Sequence, residues 1–270
     1  MGGTPVAIEI FALARTMQRV AAAIDATCRP ADAVCRAYDA APFGTAYVCV
    51  SPGEESQFAS ANHNRIHLCG TDGGLTAEGL MQLRRQFDAA GVSRFFVWLT
   101  PGPEMDSVRG WLTEAGMRRN PHVTYPTLAR AGGAAQHASS DLEVRELAAD
   151  DVETLARLDG ASWPDFRRSL GAPGFTHYVA CDGARPVGSA ALQVVDDVGH
   201  LCMGFTAEPD RRRGAQQALI AKRIETATAL GCRTLVSETL SFLNSSLGNL
   251  RRAGFVPAYD KDVYNSRPES

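Results

Sequence analysis

The stretch that decides the fold reads Thr206-Ala207-Glu208-Pro209-Asp210-Arg211-Arg212-Arg213-Gly214-Ala215-Gln216-Gln217. Before it stands an apolar run, Leu201-Cys202-Met203-Gly204-Phe205-Thr206, whose composition predicts a β-strand. After it, residues 215–230 form an amphipathic segment that predicts a helix. A strand that runs through a small-residue loop into a helix presents several backbone N–H groups without intrahelical partners, and the helix dipole adds partial positive charge there. Such a place suits a phosphate. Arg211, Arg212 and Arg213 add charge-assisted donors, and Gly214, having no Cβ, lets the backbone approach a ligand closely.

The spacing Arg211-x-x-Gly214-x-Gln216 resembles the pyrophosphate-binding signature Gln/Arg-x-x-Gly-x-Gly/Ala of the GNAT superfamily of acetyl-CoA-dependent acyltransferases. Gln216 replaces the last small residue. The run Arg212-Arg213-Gly214-Ala215-Gln216-x-Ala218-Leu219 is nevertheless similar to a GNAT branch in which Gln commonly fills that place. The resemblance covers residues 142 to about 264, read as β-α-α-β-β-β-α-β-α-β. It covers 48–130 more weakly, and the residues before 48 lie outside it.

The resemblance implies that acetyl-CoA (CoA) lies against the strand end at Phe205 and Thr206. Its pyrophosphate would be held by the loop and first helical turn, Arg211, Arg212, Arg213, Gly214, Ala215, Gln216 and Gln217, with the Gln216 side chain free to point away. Asn249, in Ser246-x-x-Asn249-x-x-x-x-Gly254-Phe255, resembles a residue that contacts the cofactor near its sulfur or pantetheine. Many GNAT enzymes carry a Tyr acid four residues before this Gly; here the position is Leu250, which cannot donate a proton. Tyr259 or Tyr264, a water, or unaided departure of a thiolate with a pKa of about 8.5 remain as alternatives.

An amine must be neutral to attack a thioester, so a base is required. Glu238 ends the predicted strand 233–238 and faces the expected cleft, which makes it the candidate catalytic base. His200 begins its strand and is expected far from the cofactor end. His177 and Tyr178 point to opposite faces of one strand, so one of them at most faces a cleft. Trp163, Phe166 and Arg167 fall where GNAT enzymes often build the acceptor wall, although a core Trp fits as well.

Two halves share one order of elements. In each, a long helix ends at a Gly, a strand follows, and a second helix ends at another Gly: Gly91 and Gly116 are 116 − 91 = 25 apart, Gly231 and Gly254 are 254 − 231 = 23 apart. His67-Leu68-Cys69 stands where His200-Leu201-Cys202 stands in the second half. The first-half loop, Gly70-Thr71-Asp72-Gly73-Gly74-Leu75-Thr76, has an acid and no arginine, which opposes a pyrophosphate. The expected fold class is therefore α/β of the α+β type: two tandem GNAT-like domains, each a mixed, mostly antiparallel twisted sheet flanked by helices. Residues 1–130 would be a degenerate domain with a helical N-terminus and no cofactor, 131–140 a linker, and 141–270 the acetyl-CoA-binding catalytic domain.

Lys and Arg number 27 against 30 Asp and Glu, a net charge of −3 that gives no basic field for nucleic acid. The seven cysteines form no Cys-x-x-Cys pair, and there is no His-Glu-x-x-His, so no metal site is expected and the thiols read as free and buried. Residues 8–24 are too polar for a signal segment or a membrane span. The expectation is a cytoplasmic monomer or homodimer with no membrane or nucleic-acid partner. It would be an N-acetyltransferase that moves an acetyl group from acetyl-CoA to the amine of a small molecule; the alternative is a non-catalytic acyl-CoA-binding or regulatory module.

Overall fold

The computed structural model describes residues 10–53, 63–68, 74–102, 104–134, 140–156, 158 and 164–266. It is a mixed α/β chain of mostly antiparallel strands flanked by helices, and it divides into two compact units. Unit 1 comprises Met1–Pro126, Leu240–Phe242 and Ala258–Ser270; unit 2 comprises Thr127–Thr239 and Leu243–Pro257.

Unit 1 opens with α1 (Ile10–Cys28) and the hairpin β1 (Val34–Ala40) and β2 (Gly44–Val50). β3 (Arg65–Leu68), α2 (Ala77–Ala89), β4 (Phe96–Leu99) and α3 (Met105–Glu114) follow. β5 (Arg118–Ala131) starts in this unit and ends in the other. Most of the last strand, β11 (Val256–Asn265), returns to unit 1, where Asp262↔Leu99 to Asn265↔Phe96 pair it with β4, giving the order β1-β2-β3-β4-β11. Leu80, Leu83 and Phe87 from α2 and Val108 and Leu112 from α3 fill the core against Ile66, Val97 and Tyr264. Their spacing of three and four residues is that of a one-sided helix.

Unit 2 holds β6 (Glu143–Leu147), α4 (Val152–Ala156), α5 (Pro164–Ser169), the antiparallel strands β7 (Phe175–Asp182), β8 (Arg185–Val195) and β9 (Val198–Thr206), α6 (Ala215–Ala229), β10 (Thr234–Glu238) and α7 (Asn244–Arg252). The strand order is β5-β10-β9-β8-β7-β6, with residues 127–131 of β5 against β10. α6 buries Ala215, Leu219, Ile220, Arg223, Ile224 and Ala227 on one sheet face. The other face packs Phe166 and Leu147 on Val179 and Ala191. At ~2–5 kcal/mol for a truncated core Leu, Leu219 alone anchors α6 firmly.

The elements agree with the sequence reading to within a few residues, but the units do not follow the expected cut at 131–140. Backbone pairing decides which unit a strand joins. Residues 127–131 pair in unit 2, ahead of the supposed linker, and 262–265 pair in unit 1, beyond it. Linker residues 135–139 lie outside the described residues, as do residues 70–73 of the first-half loop. The β1–β2 hairpin begins before residue 48, where the resemblance had no coverage.

Candidate functional site

β9 and β10 are parallel neighbours for three residue pairs: Thr234↔Val198, Leu235↔Gly199 and Val236↔His200. There the ladder stops, although β9 runs on to Thr206 and β10 to Glu238. The Ser237 hydroxyl donates to the Leu201 carbonyl at 2.8 Å, closing the ladder with a side chain. β9 also bulges on its other edge: Ser189↔Phe205 and Ala191↔Cys202 leave an extra residue on β9, and Met203 takes φ +52°. A bulge bends a strand away from its partner. Beyond Leu201 the edge of β9 is therefore no longer laddered to β10.

At the end of β9 a short turn, Glu208–Asp210, leads into the loop. Arg212 (φ +66°) and Gly214 (φ +84°) are left-handed, and Arg213 between them is not. Such alternation turns successive N–H groups toward one side, the geometry of an anion nest. Among the described residues, the backbone N–H groups at positions 212 to 217 donate to no protein acceptor; the first helical bond is from Ala218 N–H to the Gly214 carbonyl.

The three arginines divide by role. Arg213 donates to Asp210 and Asp182, each at 2.8 Å. Arg185 grips Asp210 with two bonds, at 2.7 and 2.8 Å. The Arg185 and Arg213 guanidiniums hold the buried Asp210 carboxyl down to about 2, so the cluster stays ionised at neutral pH. Arg213 thus shapes the loop. Arg211 is exposed and lies 3.9 Å from Glu208, and Arg212 is exposed with no partner among the described residues. Those two make no ion pair closer than 3.9 Å among the described residues.

Two side chains of α6 hold β9 in its bent form. The Gln216 amide donates to the Phe205 carbonyl at 2.7 Å and to the Thr206 hydroxyl at 3.0 Å. The expectation that this side chain points away is therefore corrected: it reaches back to β9. Gly204 makes room, since a Cβ there would stand 2.9 Å from Gln216 Oε1. Arg223 donates to the Cys202 and Ala191 carbonyls at 3.2 and 3.3 Å and to Leu219 at 3.0 Å. It is buried with no carboxylate partner among the described residues, and burial pushes its guanidinium down to about 10. Sequence reasoning missed Arg223, though one charge inside the apolar stripe of α6 was the available signal.

The remaining candidates separate. Asn249 is half-buried on α7 and its Oδ1 accepts from Arg252 at 2.6 Å. Glu238 is half-buried, and the Thr127 hydroxyl donates to it at 2.6 Å. His200, near the start of β9, is the last residue of that strand paired with β10. Tyr178 faces α6 and donates to Thr226 at 2.8 Å. His177 faces α5, with Nε2 3.0 Å from the Ser169 hydroxyl, and burial holds it down to about 4. Both are fully buried. Phe166 is core, against His177, while Arg167 is exposed. Trp163 lies outside the described residues. Leu250 is buried in the unit 2 core, and Tyr264 belongs to the core of unit 1.

The counterpart in unit 1 is shut in both respects. β3 and β4 pair at all four positions, Arg65↔Phe96 to Leu68↔Leu99, and Thr100 N–H continues the ladder to the Leu68 carbonyl. The start of α2 is capped by its own chain. The Thr76 hydroxyl accepts from Gly79 N–H at 3.0 Å, and Thr76 N–H donates to the Pro42 carbonyl at 2.9 Å.

Residues 142–255 match the family described as Acetyltransferase (GNAT) family. No curated protein matches the chain significantly. Among solved structures, a GCN5-related N-acetyltransferase from Kribbella flavida shares 16% identity at a TM-score of 0.67, over 99% of this chain and 98% of its own. One from Sphaerobacter thermophilus shares 16% at 0.57, over 97% and 95%. A tandem GNAT protein from the clavulanic acid biosynthesis pathway shares 9% at 0.60, over 93% and 89%. Residues 142–255, on the unit that carries the split strand and the open helix start, thus match the GNAT family, and the chain shares the fold of these proteins along nearly its whole length.

Proposed function

We propose that this chain is an N-acetyltransferase that moves an acetyl group from acetyl-CoA to the amine of a small molecule, with its one cofactor site in unit 2. The observation that supports this most is the contrast between the two parallel strand pairs. β9 and β10 part after three residue pairs beside a helix start whose N–H groups are unused, while β3 and β4 stay paired beside a capped one.

The residues present fit the cofactor. The N–H groups at positions 212 to 217 would hold the pyrophosphate, with Arg211 and Arg212 adding charge. The free edge of β9 at Phe205 and Thr206 would take the pantetheine arm, and Asn249 lies on the helix expected beside it. When bound, acetyl-CoA supplies an acyl thioester open to attack by an uncharged amine. Glu238 is the base that removes the amine proton, and the Thr127 hydroxyl orients its carboxylate. The acceptor is a small molecule, with no membrane or nucleic-acid partner, and the enzyme works in the cytoplasm as a monomer or homodimer. Among the described residues no helix is long and apolar enough to cross a membrane.

A second reading, a non-catalytic acyl-CoA-binding or regulatory module, draws on Leu250, a core residue where many relatives carry the acid. Thiol release from acetyl-CoA against a panel of amines separates the two. Amine-dependent release is expected; cofactor binding without it sinks the enzyme reading. Melting the intact chain tests the cofactor itself. Acetyl-CoA at 100 times its Kd should stabilise the native state by about 2.7 kcal/mol, and a midpoint raised instead by NAD or ATP alone would overturn the assignment.

A further inference from the structure

Cys35 and Cys49 stand directly opposite each other on the antiparallel strands β1 and β2 of unit 1. Their sulfurs share a hydrogen bond at 3.2 Å, and both are free thiols. Directly opposed residues on antiparallel strands lie about 4.5–5.5 Å apart at Cα, within the roughly 4.4–6.8 Å that a disulfide spans. The two sulfurs need to approach by only about 1.2 Å to reach the bonded distance of about 2.05 Å.

We propose that Cys35 and Cys49 form a peroxide-reactive dithiol, in which Cys35 is the attacking sulfur and Cys49 the resolving one. The two sites differ as those roles require. β1 is an edge strand, and Cys35 on it is partly exposed, while Cys49 is fully buried. The groups around them are charged and ordered. Asp25 is buried and accepts from Arg29 at 2.7 Å, Arg65 at 2.7 Å and the Tyr47 hydroxyl at 2.8 Å. The hydrogen bond from Cys49, with help from Tyr47 and Arg65, brings the Cys35 thiol down to about 7 against the opposing pull of burial and Asp25. The same bond and burial push the Cys49 thiol up. At neutral pH Cys35 thus carries a substantial thiolate fraction, the reactive form, with a protonated thiol in contact.

The chemistry balances with a hydroperoxide as oxidant. The Cys35 thiolate attacks the distal peroxide oxygen, the O–O bond breaks, and the leaving alkoxide or hydroxide takes up the proton that Cys35 has lost. This gives a sulfenic acid at Cys35. The Cys49 sulfur then attacks that sulfur, the S–O bond breaks, and the Cys49 proton leaves with the hydroxyl as water. Two thiols and one hydroperoxide yield one disulfide, one alcohol or water, and one water.

The test treats the intact chain with hydrogen peroxide at pH 7, blocks remaining thiols with iodoacetamide under denaturing conditions, and maps peptides without reductant. A Cys35–Cys49 linked pair that dithiothreitol reverses is expected, with the other cysteines alkylated. In Cys49→Ser the link is lost and dimedone labels Cys35; in Cys35→Ser, Cys49 stays a thiol. Recovery of both residues alkylated, under conditions that oxidise glutathione completely, overturns the proposal. So does a link from Cys35 to any other cysteine. The wild-type map decides the matter even if a variant fails to fold.

Discussion

Gln216 offers the sharpest perturbation of the site, because its side chain and its backbone have separate tasks. The amide nitrogen makes two bonds, at 2.7 Å to the Phe205 carbonyl and 3.0 Å to the Thr206 hydroxyl, that tie α6 to the bent end of β9. Each neutral bond contributes about 1 kcal/mol. Gln216→Ala removes both, and the better helix propensity of Ala returns a few tenths of that. The net loss is about 1.5 kcal/mol, or a fall in melting midpoint of about 3–6 °C at ~2–4 °C per kcal/mol for a protein of this size class. The backbone N–H at position 216 survives the change, so the Kd for acetyl-CoA should rise by less than about tenfold, under ~1.4 kcal/mol. Calorimetric melting and titration of the same preparations read both quantities. An unchanged midpoint with a tenfold or greater loss of affinity would refute the reasoning, since it would make the side chain a ligand contact rather than a tie.

Burial holds His177 down to about 4, against about 6.5 in an unfolded chain. A depressed folded value means that its contribution is whole above about pH 6.5 and is lost as pH falls through about 4. The gap amounts to ~3 kcal/mol. Denaturant midpoints at pH 7 and pH 4.5 should fall more steeply for the wild type than for His177→Phe, and equal slopes would remove the claim. Glu238→Gln should lower kcat by about 100-fold or more with the acetyl-CoA KM nearly unchanged; an unaltered kcat would end the base assignment. Leu250→Tyr should not raise kcat, because position 250 is core and the larger ring overpacks it by ~1–3 kcal/mol. A gain in kcat would mean that the position reaches the reacting atoms.

The loop was legible because its signal is local. Residues 201–206 read as a strand, 215–230 as a helix, and Gly214 as the close-approach position; the structure has a strand, a helix and a left-handed glycine there. What stayed hidden depends on contacts distant in sequence. Nothing in Arg211-Arg212-Arg213 says which arginine is engaged; Asp182 and Asp210 decide that, one of them from the β7–β8 hairpin. The direction of Gln216 depends on the space that Gly204 leaves on another element. Residues 127–131 and 262–265 take pairing edges, and so units, that are set by partners more than 100 residues away. The exposed pattern of β1 gives almost no apolar alternation, which is why that hairpin escaped the sequence reading.

The central claim is that this tandem chain has a single cofactor site, made by a split strand pair and an open helix start in unit 2 and absent from the closed counterpart in unit 1. Isothermal titration of the intact chain with acetyl-CoA tests it most directly, with Gly214→Glu as the companion variant. The account predicts one acetyl-CoA per wild-type chain and no binding in the variant, where a carboxylate at φ +84° would stand in the nest. Two molecules per chain, or undiminished binding by Gly214→Glu, would contradict it.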